Sequence, residues 1–322
     1  MRASEIGKRL GLVAVVMLLV GAAAAMPIAS HQNATTDTSL SIASHQPANI
    51  LADVPAETGT ITIDGGDGSK RVLIDAGHGN QFDRAEIAPM IDALTSAGHE
   101  VSLYRDRSGS SLNESLRGAD AFVVLSPEEP FTSDQLDGLQ AFSDAGGRVL
   151  LAGEPPRQGS GLSILFGLSS PRGGTAPFTG LAASFGFSVG DGYLYDIESY
   201  DGNYRNVYAS PSGDTVLGDV GEVTIHEGVA IRGGTPLLST VETARVSSDR
   251  EARSYPVVAR NGAVVAVGDT SIFSTEWNER SNNEALVGSL LEFLVSGDKE
   301  SGAPTPPDST ESGEPAPPTR RQ

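Results

Sequence analysis

Two rhythms of apolar residues alternate between residues 70 and 297. Short runs that are apolar throughout, such as Val72-Leu73-Ile74, Val123-Val124-Leu125 and Val149-Leu150-Leu151, read as strands buried on both faces. Between them the spacing changes to that of a helix. Ile87, Met90, Ile91 and Leu94 fall on one helical face within residues 82–97, and Gly98 ends the pattern. Residues 101–104 form a second strand, and a short helix over 113–118 leads into a third at 121–125. Over 132–145 a helix opens on Thr132 with Gln135 at the capping-box position and closes on Gly146-Gly147. A fourth strand follows at 148–152.

The rhythm loosens over residues 154–228, which are rich in glycine and hold Tyr193, Tyr195, Tyr200, Tyr204 and Tyr208. It returns with strands at 255–260 and 263–268, joined by Asn261-Gly262, a strong hairpin signal. A helix over 284–295 closes the pattern. This βαβα order predicts an α/β domain over 70–297. Its mostly parallel sheet carries helices on both faces, a Gly/Tyr-rich insertion at about 154–228 and a C-terminal β-hairpin.

The flanks differ in character. Arg2, Lys8 and Arg9 precede an apolar stretch from Leu10 to Met26, the form of a signal peptide or an N-terminal membrane anchor over residues 1–26. The expected location is therefore extracytoplasmic, anchored in the cell membrane or secreted, with membrane contact through that segment. Residues 27–69 read as a Ser/Thr/Ala-rich stalk, with a short strand at 60–63. The Pro-rich acidic stretch 298–322 reads as a disordered tail.

Charge and composition narrow the functions. The chain carries 41 acidic against 22 basic residues, a net charge of −19. Nucleic acid is not an expected partner of such a surface. Lysine occurs only at 8, 70 and 299, and an acid-rich, lysine-poor chain suits a halophilic setting, where salt screens self-repulsion. There is no cysteine, which removes disulfides, thiolate metal sites and a cysteine nucleophile together.

The polar residues at strand ends are the candidate chemistry. Asp75, Gly77, His78 and Asn80 follow the first strand, Glu154 follows the fourth, and Asp269, Ser271 and Trp277 follow the hairpin. In an open α/β sheet this edge is where ligands bind, so these eight residues form the candidate binding cleft. The competing reading is turn chemistry, since Asp and Gly end strands for backbone reasons alone. The tyrosine cluster reads as packing or a protein contact.

A catalytic alternative rests on "DAGHGN", residues 75–80, which resembles the opening of the zinc-dependent N-acetylmuramoyl-L-alanine amidases. A hydrolase of that kind would place metal on His78 with Glu86 or Glu154. The resemblance stops at "AFVVLSPEEP", residues 121–130, where the family carries a further histidine and this chain carries none. If the domain binds without turnover, alanine at His78 is expected to leave folding and binding nearly intact. Gly186-Phe187-Ser188-Val189-Gly190 matches G-x-S-x-G, but a helix precedes it and a strand follows, the reverse of a nucleophile turn. Gly77 and Gly79 lack the third glycine of a dinucleotide loop, since Phe occupies position 82.

A wider set of phrases carries a second resemblance. "VLIDAGHGNQFD" (72–83), "SLRGADAFVVLSPEEPFTSDQLDGLQAFSDAGGRVLLAG" (115–153), "DGNYRNVY" (201–208) and "VVAVGDTSIFSTEWNERSNNEALVGSLLEFL" (264–294) together resemble the DUF4350 family. That family is related to auxiliary, gliding-type subunits of ABC transporters. The resemblance implies a flavodoxin-like, class I glutamine amidotransferase-like fold. Catalytic members of that wider fold use a cysteine, which this chain lacks. It therefore implies a non-catalytic module that binds a protein or a small ligand, with no cofactor, as an accessory of a membrane transport or assembly complex.

Overall fold

The computed structural model describes residues 59–64, 68–80, 82–105, 111–155, 175–213 and 217–305. The N-terminal segment 1–26, most of the stalk and the tail beyond 305 lie outside the described residues.

The first half follows the apolar rhythm closely. Strands β1 (Arg71–Asp75), β2 (Glu100–Tyr104), β3 (Ala121–Leu125) and β4 (Arg148–Ala152) alternate with helices α1 (Ala88–Ser96), α2 (Leu112–Arg117) and α3 (Ser133–Asp144). The capping box of α3 is formed in full: Thr132 Oγ1 accepts from Gln135 N, and Gln135 Oε1 accepts from Thr132 N. Every residue of β3 is buried, as a strand covered on both faces requires.

The second half is richer in strands than the pattern suggested. After α4 (Thr175–Ser184) come β5 (Ser188–Val189), β6 (Leu194–Tyr195), β7 (Asn206–Pro211), β8 (Val223–His226) and β9 (Ile231–Arg232). They are followed by β10 (Thr235–Thr240), β11 (Arg245–Val246), β12 (Pro256–Asn261), β13 (Val264–Val267) and α5 (Asn283–Val295). The main sheet has nine strands in the order β2-β1-β3-β4-β13-β12-β10-β7-β8. From β2 to β13 the strands are parallel, in the 2-1-3-4-5 order of a flavodoxin-like sheet. From β12 to β8 they run antiparallel. The stretch read as an insertion thus supplies β7 and β8 to the same sheet, and the hairpin β12–β13 lies inside the sheet.

The hairpin turn is displaced by one residue from the expected one. Asn261 pairs with Val264, so the two-residue loop is Gly262-Ala263. Gly262 at φ +57° takes the first loop position, as a II′ turn needs, and Asn261 Nδ2 instead donates to Phe185 O at 2.9 Å. Ser188 sits in the edge strand β5 paired with β9, with helix before it, so no strand–turn–helix presents its hydroxyl.

Side chains alternate across the sheet into two cores. Val72, Ile74, Val123, Leu150 and Val265 face one side with Met90 and Leu94 of α1 and Leu290 and Leu294 of α5. Leu73, Phe122, Val124, Leu151 and Ala266 face the other with Leu116, Leu139, Phe142 and Phe178 of α2, α3 and α4. Helices therefore cover both faces, as expected.

Both ends of the described chain lie against this body. The 60–63 stretch forms no strand; Ile61 and Ile63 pack on the first core and Asp64 N donates to Glu292 Oε1 at 3.0 Å. Residues 298–305, expected to begin the disordered tail, are instead laid back on the domain. Glu300 N donates to Ala145 O at 2.8 Å, Arg117 Nε to Pro304 O at 3.1 Å, and Lys299 Nζ to Ala303 O at 2.8 Å. The lysine ammonium gathers carbonyls that a polar, Pro-rich stretch would otherwise leave to water.

Candidate functional site

The expected cleft residues divide into two groups. Asp75, Gly77, His78 and Asn80 close on one another in a buried corner beyond β1. The Asp75 carboxylate is fully buried and lies 2.9 and 3.0 Å from His78 Nδ1 through its two oxygens. Gly77 N and Asn80 Nδ2 donate to the same carboxylate at 3.1 Å each. His78 Nε2 lies 3.3 Å from Gln135 Oε1, the atom that also completes the cap of α3. The ring stacks on Phe131 at 3.7 Å, and the His78 carbonyl accepts from Glu128 N and Glu129 N. A fixed i−3 carboxylate thus turns the imidazole inward, against Phe131.

Glu86 lies elsewhere. It accepts from Asp83 N at 2.9 Å and lines the open cleft, which His78 does not. The pair proposed for the hydrolase metal is therefore not brought together. Among the described residues no group of three or more His, Asp or Glu side chains is placed to hold a metal ion.

The second group meets at the C-terminal ends of β3, β4 and β13, beside the end of β8. A cleft of about 620 Å³ opens there, lined by Glu154, Ser271 and Trp277 among the expected residues. Its size falls within the range of roughly 300–1,000 Å³ usual for ligand pockets. It also spans the β1/β3 crossover, where the sheet order reverses and ligands collect in open α/β folds. Asp269 is fully buried and ties the cleft's two sides together. Its Oδ2 accepts from His226 N at 2.7 Å, and its Oδ1 accepts from Ser271 N at 2.7 Å and Ser271 Oγ at 2.6 Å. Burial and the neighbouring Glu154 push its carboxyl up to about 8, against the pull of these donors. Glu154 Oε1 accepts from Thr270 N at 2.8 Å and from the Thr270 hydroxyl.

Four further lining residues, Tyr193, Arg205, His226 and Glu227, were not expected there. His226 stacks on Trp277 at 4.0 Å with 19° between the rings. Its Nδ1 lies 2.8 Å from Asn206 Oδ1, and Asn206 Nδ2 donates to Asp201 O, so the amide presents its oxygen and the imidazole proton sits on Nδ1. Burial lowers the pKa of His226, although Glu227 and Glu276 pull the other way. Asn283, fully buried at the start of α5, donates to both Thr224 O and Trp277 O and so positions the Trp277 turn against β8. Arg205 Nη1 pairs with Glu227 Oε1 at 2.6 Å, and its guanidinium lies 4.6 Å from the Tyr193 ring centre. Glu227 holds φ +49°, a left-handed conformation outside glycine that marks strain at the cleft wall. The signals were present in "TIHEG" (224–228) and "NYRNVY" (203–208), where charged and aromatic residues crowd a strand end.

A family profile described as "Domain of unknown function (DUF4350)" matches residues 90–291, more than half of the chain. The chain belongs to the DUF4350 family. Among curated proteins no relative matches. A solved structure described as "mmIFT52 N-terminal domain" is 15% identical, with a TM-score of 0.56 over 71% of this chain and 99% of that one. A glutamine amidotransferase from Thermotoga maritima is 11% identical, with a TM-score of 0.40 over 71% of this chain and 98% of its own. A ThuA-like protein from Parabacteroides merdae is 10% identical, with a TM-score of 0.42 over 72% and 93%. The first likeness is one of fold alone. The other two are weaker and add nothing to it. The DUF4350 chain thus has a flavodoxin-like sheet with a formed cleft at the C-terminal ends of its parallel strands.

Proposed function

We propose that this DUF4350 chain is a non-catalytic binding module that works outside the cytoplasmic membrane. Its N-terminal segment tethers it there, and it serves as accessory to a membrane transport or assembly complex. The observation that carries the binding reading is the cleft itself. Ser271 is held by Asp269 and Thr270 by Glu154, so this part of the wall is preorganised for a ligand. The location rests on Arg2, Lys8 and Arg9 ahead of the apolar stretch to Met26. The transport partnership rests on the family resemblance.

The absence of cysteine provides a direct test. Ser274→Cys places the only thiol in the cleft, and Asp144→Cys places it at the far end of α3. In intact cells a membrane-impermeant maleimide should label both. A short cross-linker should join the cleft thiol, and not the α3 thiol, to a membrane protein. Labelling only after lysis would overturn the location, and equal cross-linking from both sites would overturn the cleft.

A further inference from the structure

The cleft has a marked charge and a marked neighbour. Among the described residues Glu86, Glu154, Glu227 and Glu276 line it, together with the guanidinium of Arg205, which is paired with Glu227. His226 adds no lasting positive charge near neutrality, because burial lowers its pKa. The chain from β6 to β7, which runs into the lining residue Arg205, exposes Ile197 (62%), Tyr200 (43%) and Tyr204 (42%). These are the large apolar side chains most open to solvent among the described residues, and they fall within eight positions of one another. The stretch is folded on itself, Asp196 N donating to Tyr204 O at 2.7 Å and Asp201 N to Asn206 O at 3.1 Å, and grouped exposed apolar side chains mark an interaction site where scattered single ones would not. Rim and cleft are continuous: Tyr204 Oη accepts from Arg205 Nε at 3.2 Å, and the same guanidinium covers Tyr193 in the cleft wall.

Resting on the cleft reading, we propose that this surface receives an extended basic segment of a partner protein. One Lys or Arg side chain enters the cleft, and an adjoining apolar side chain lies on Ile197, Tyr200 and Tyr204. Charge complementarity selects the cation, since among the described lining residues an entering carboxylate would meet Glu86, Glu154 and Glu276 beside the Arg205–Glu227 pair. The apolar rim selects a peptide over a free amine. The segment is read by its side chains and not by strand addition, because the outer edge of β8 is already taken. Asn283 bonds both Thr224 N and Thr224 O, Asp269 holds His226 N, and Val223 bridges Ser281.

Trp277, the chain's only tryptophan, reports occupancy of the cleft by its emission. The full chain is titrated with acetyl-Gly-Leu-Arg-Leu-Gly-amide, with its Gln and Glu counterparts, and with agmatine as the free guanidinium. The Arg peptide should shift the emission saturably, at a concentration about tenfold or more below the Gln peptide. The Glu peptide should have no effect. Glu154→Gln with Glu276→Gln should weaken the Arg peptide several-fold, and so should Ile197→Ser with Tyr200→Ser, two rim residues that do not line the cleft. Equal or tighter binding of the Gln or Glu peptide would overturn the cationic ligand while leaving the cleft as the site. Agmatine binding as tightly as the Arg peptide would overturn the rim contact. No shift with any probe would overturn the peptide proposal, and the cross-link from Ser274→Cys then decides separately whether the cleft binds a partner at all.

Discussion

His78→Ala removes a ring that is 5% exposed, stacks on Phe131 and sits between Asp75 and Gln135. The expectation that this change is nearly silent for folding therefore gives way. It should cost roughly 2–4 kcal/mol, because it empties a packed site and strips a buried carboxylate of a partner. The cleft should keep its ligand, and urea unfolding alongside Trp277 emission checks both halves. Asp269 carries a second prediction. Its folded pKa of about 8 lies above its ordinary 3.8, so between those values the folded chain holds a proton that the unfolded chain has released. The stability tied to that proton is full below the lower value and is lost as pH rises through the upper one. Unfolding at pH 5 and pH 9 should show a larger loss for the natural chain than for Asp269→Asn. Equal losses would mean that Asp269 is ionised throughout. The strand-end position of both residues was legible in the sequence, but their roles were not. What turns His78 inward is the rotamer set by Asp75, and what makes a site of Asp269 is His226, more than forty positions earlier in the chain.

Gly288 shows how an element position can depend on one missing atom. A Cβ there would stand 2.6 Å from Thr62 O, so α5 admits the 60–63 stretch only because the residue is glycine. Gly288→Ala should destabilise the domain by about 1–3 kcal/mol and open the bonds before Ile61 and Ile63 to thermolysin. Unchanged cleavage would mean that the stretch is held by Ile61 and Ile63 alone. The elements themselves were legible where burial is two-sided or where caps are explicit: β1, β3, β4 and the Thr132 box follow directly from the pattern. β7, β8 and β10 were not. They are antiparallel strands at the far side of the sheet, two of them hold proline, and their partners are set by long-range pairing that no local period encodes.

At the scale of the whole molecule, the cleft is a product of topology. Phe82, Leu125, Glu154, His226 and Trp277 come from separate stretches and meet because β1, β3, β4 and β13 end at one edge while β8 curls in beside them. Part of this was readable, since the edge follows from a parallel sheet. The contribution of Arg205 and His226 was hidden in a stretch that read as a loose insertion. The proposed partner sits on the cleft, and not on the His78 corner. Amide hydrogen exchange tests this most directly, with the full chain in its native membranes compared with the same chain extracted and purified. Slower exchange in the membrane sample over residues 193–206, 226–228 and 268–278, with no change over 75–80, is the predicted result. Protection confined to 75–80, or to the face formed by α1, would contradict it.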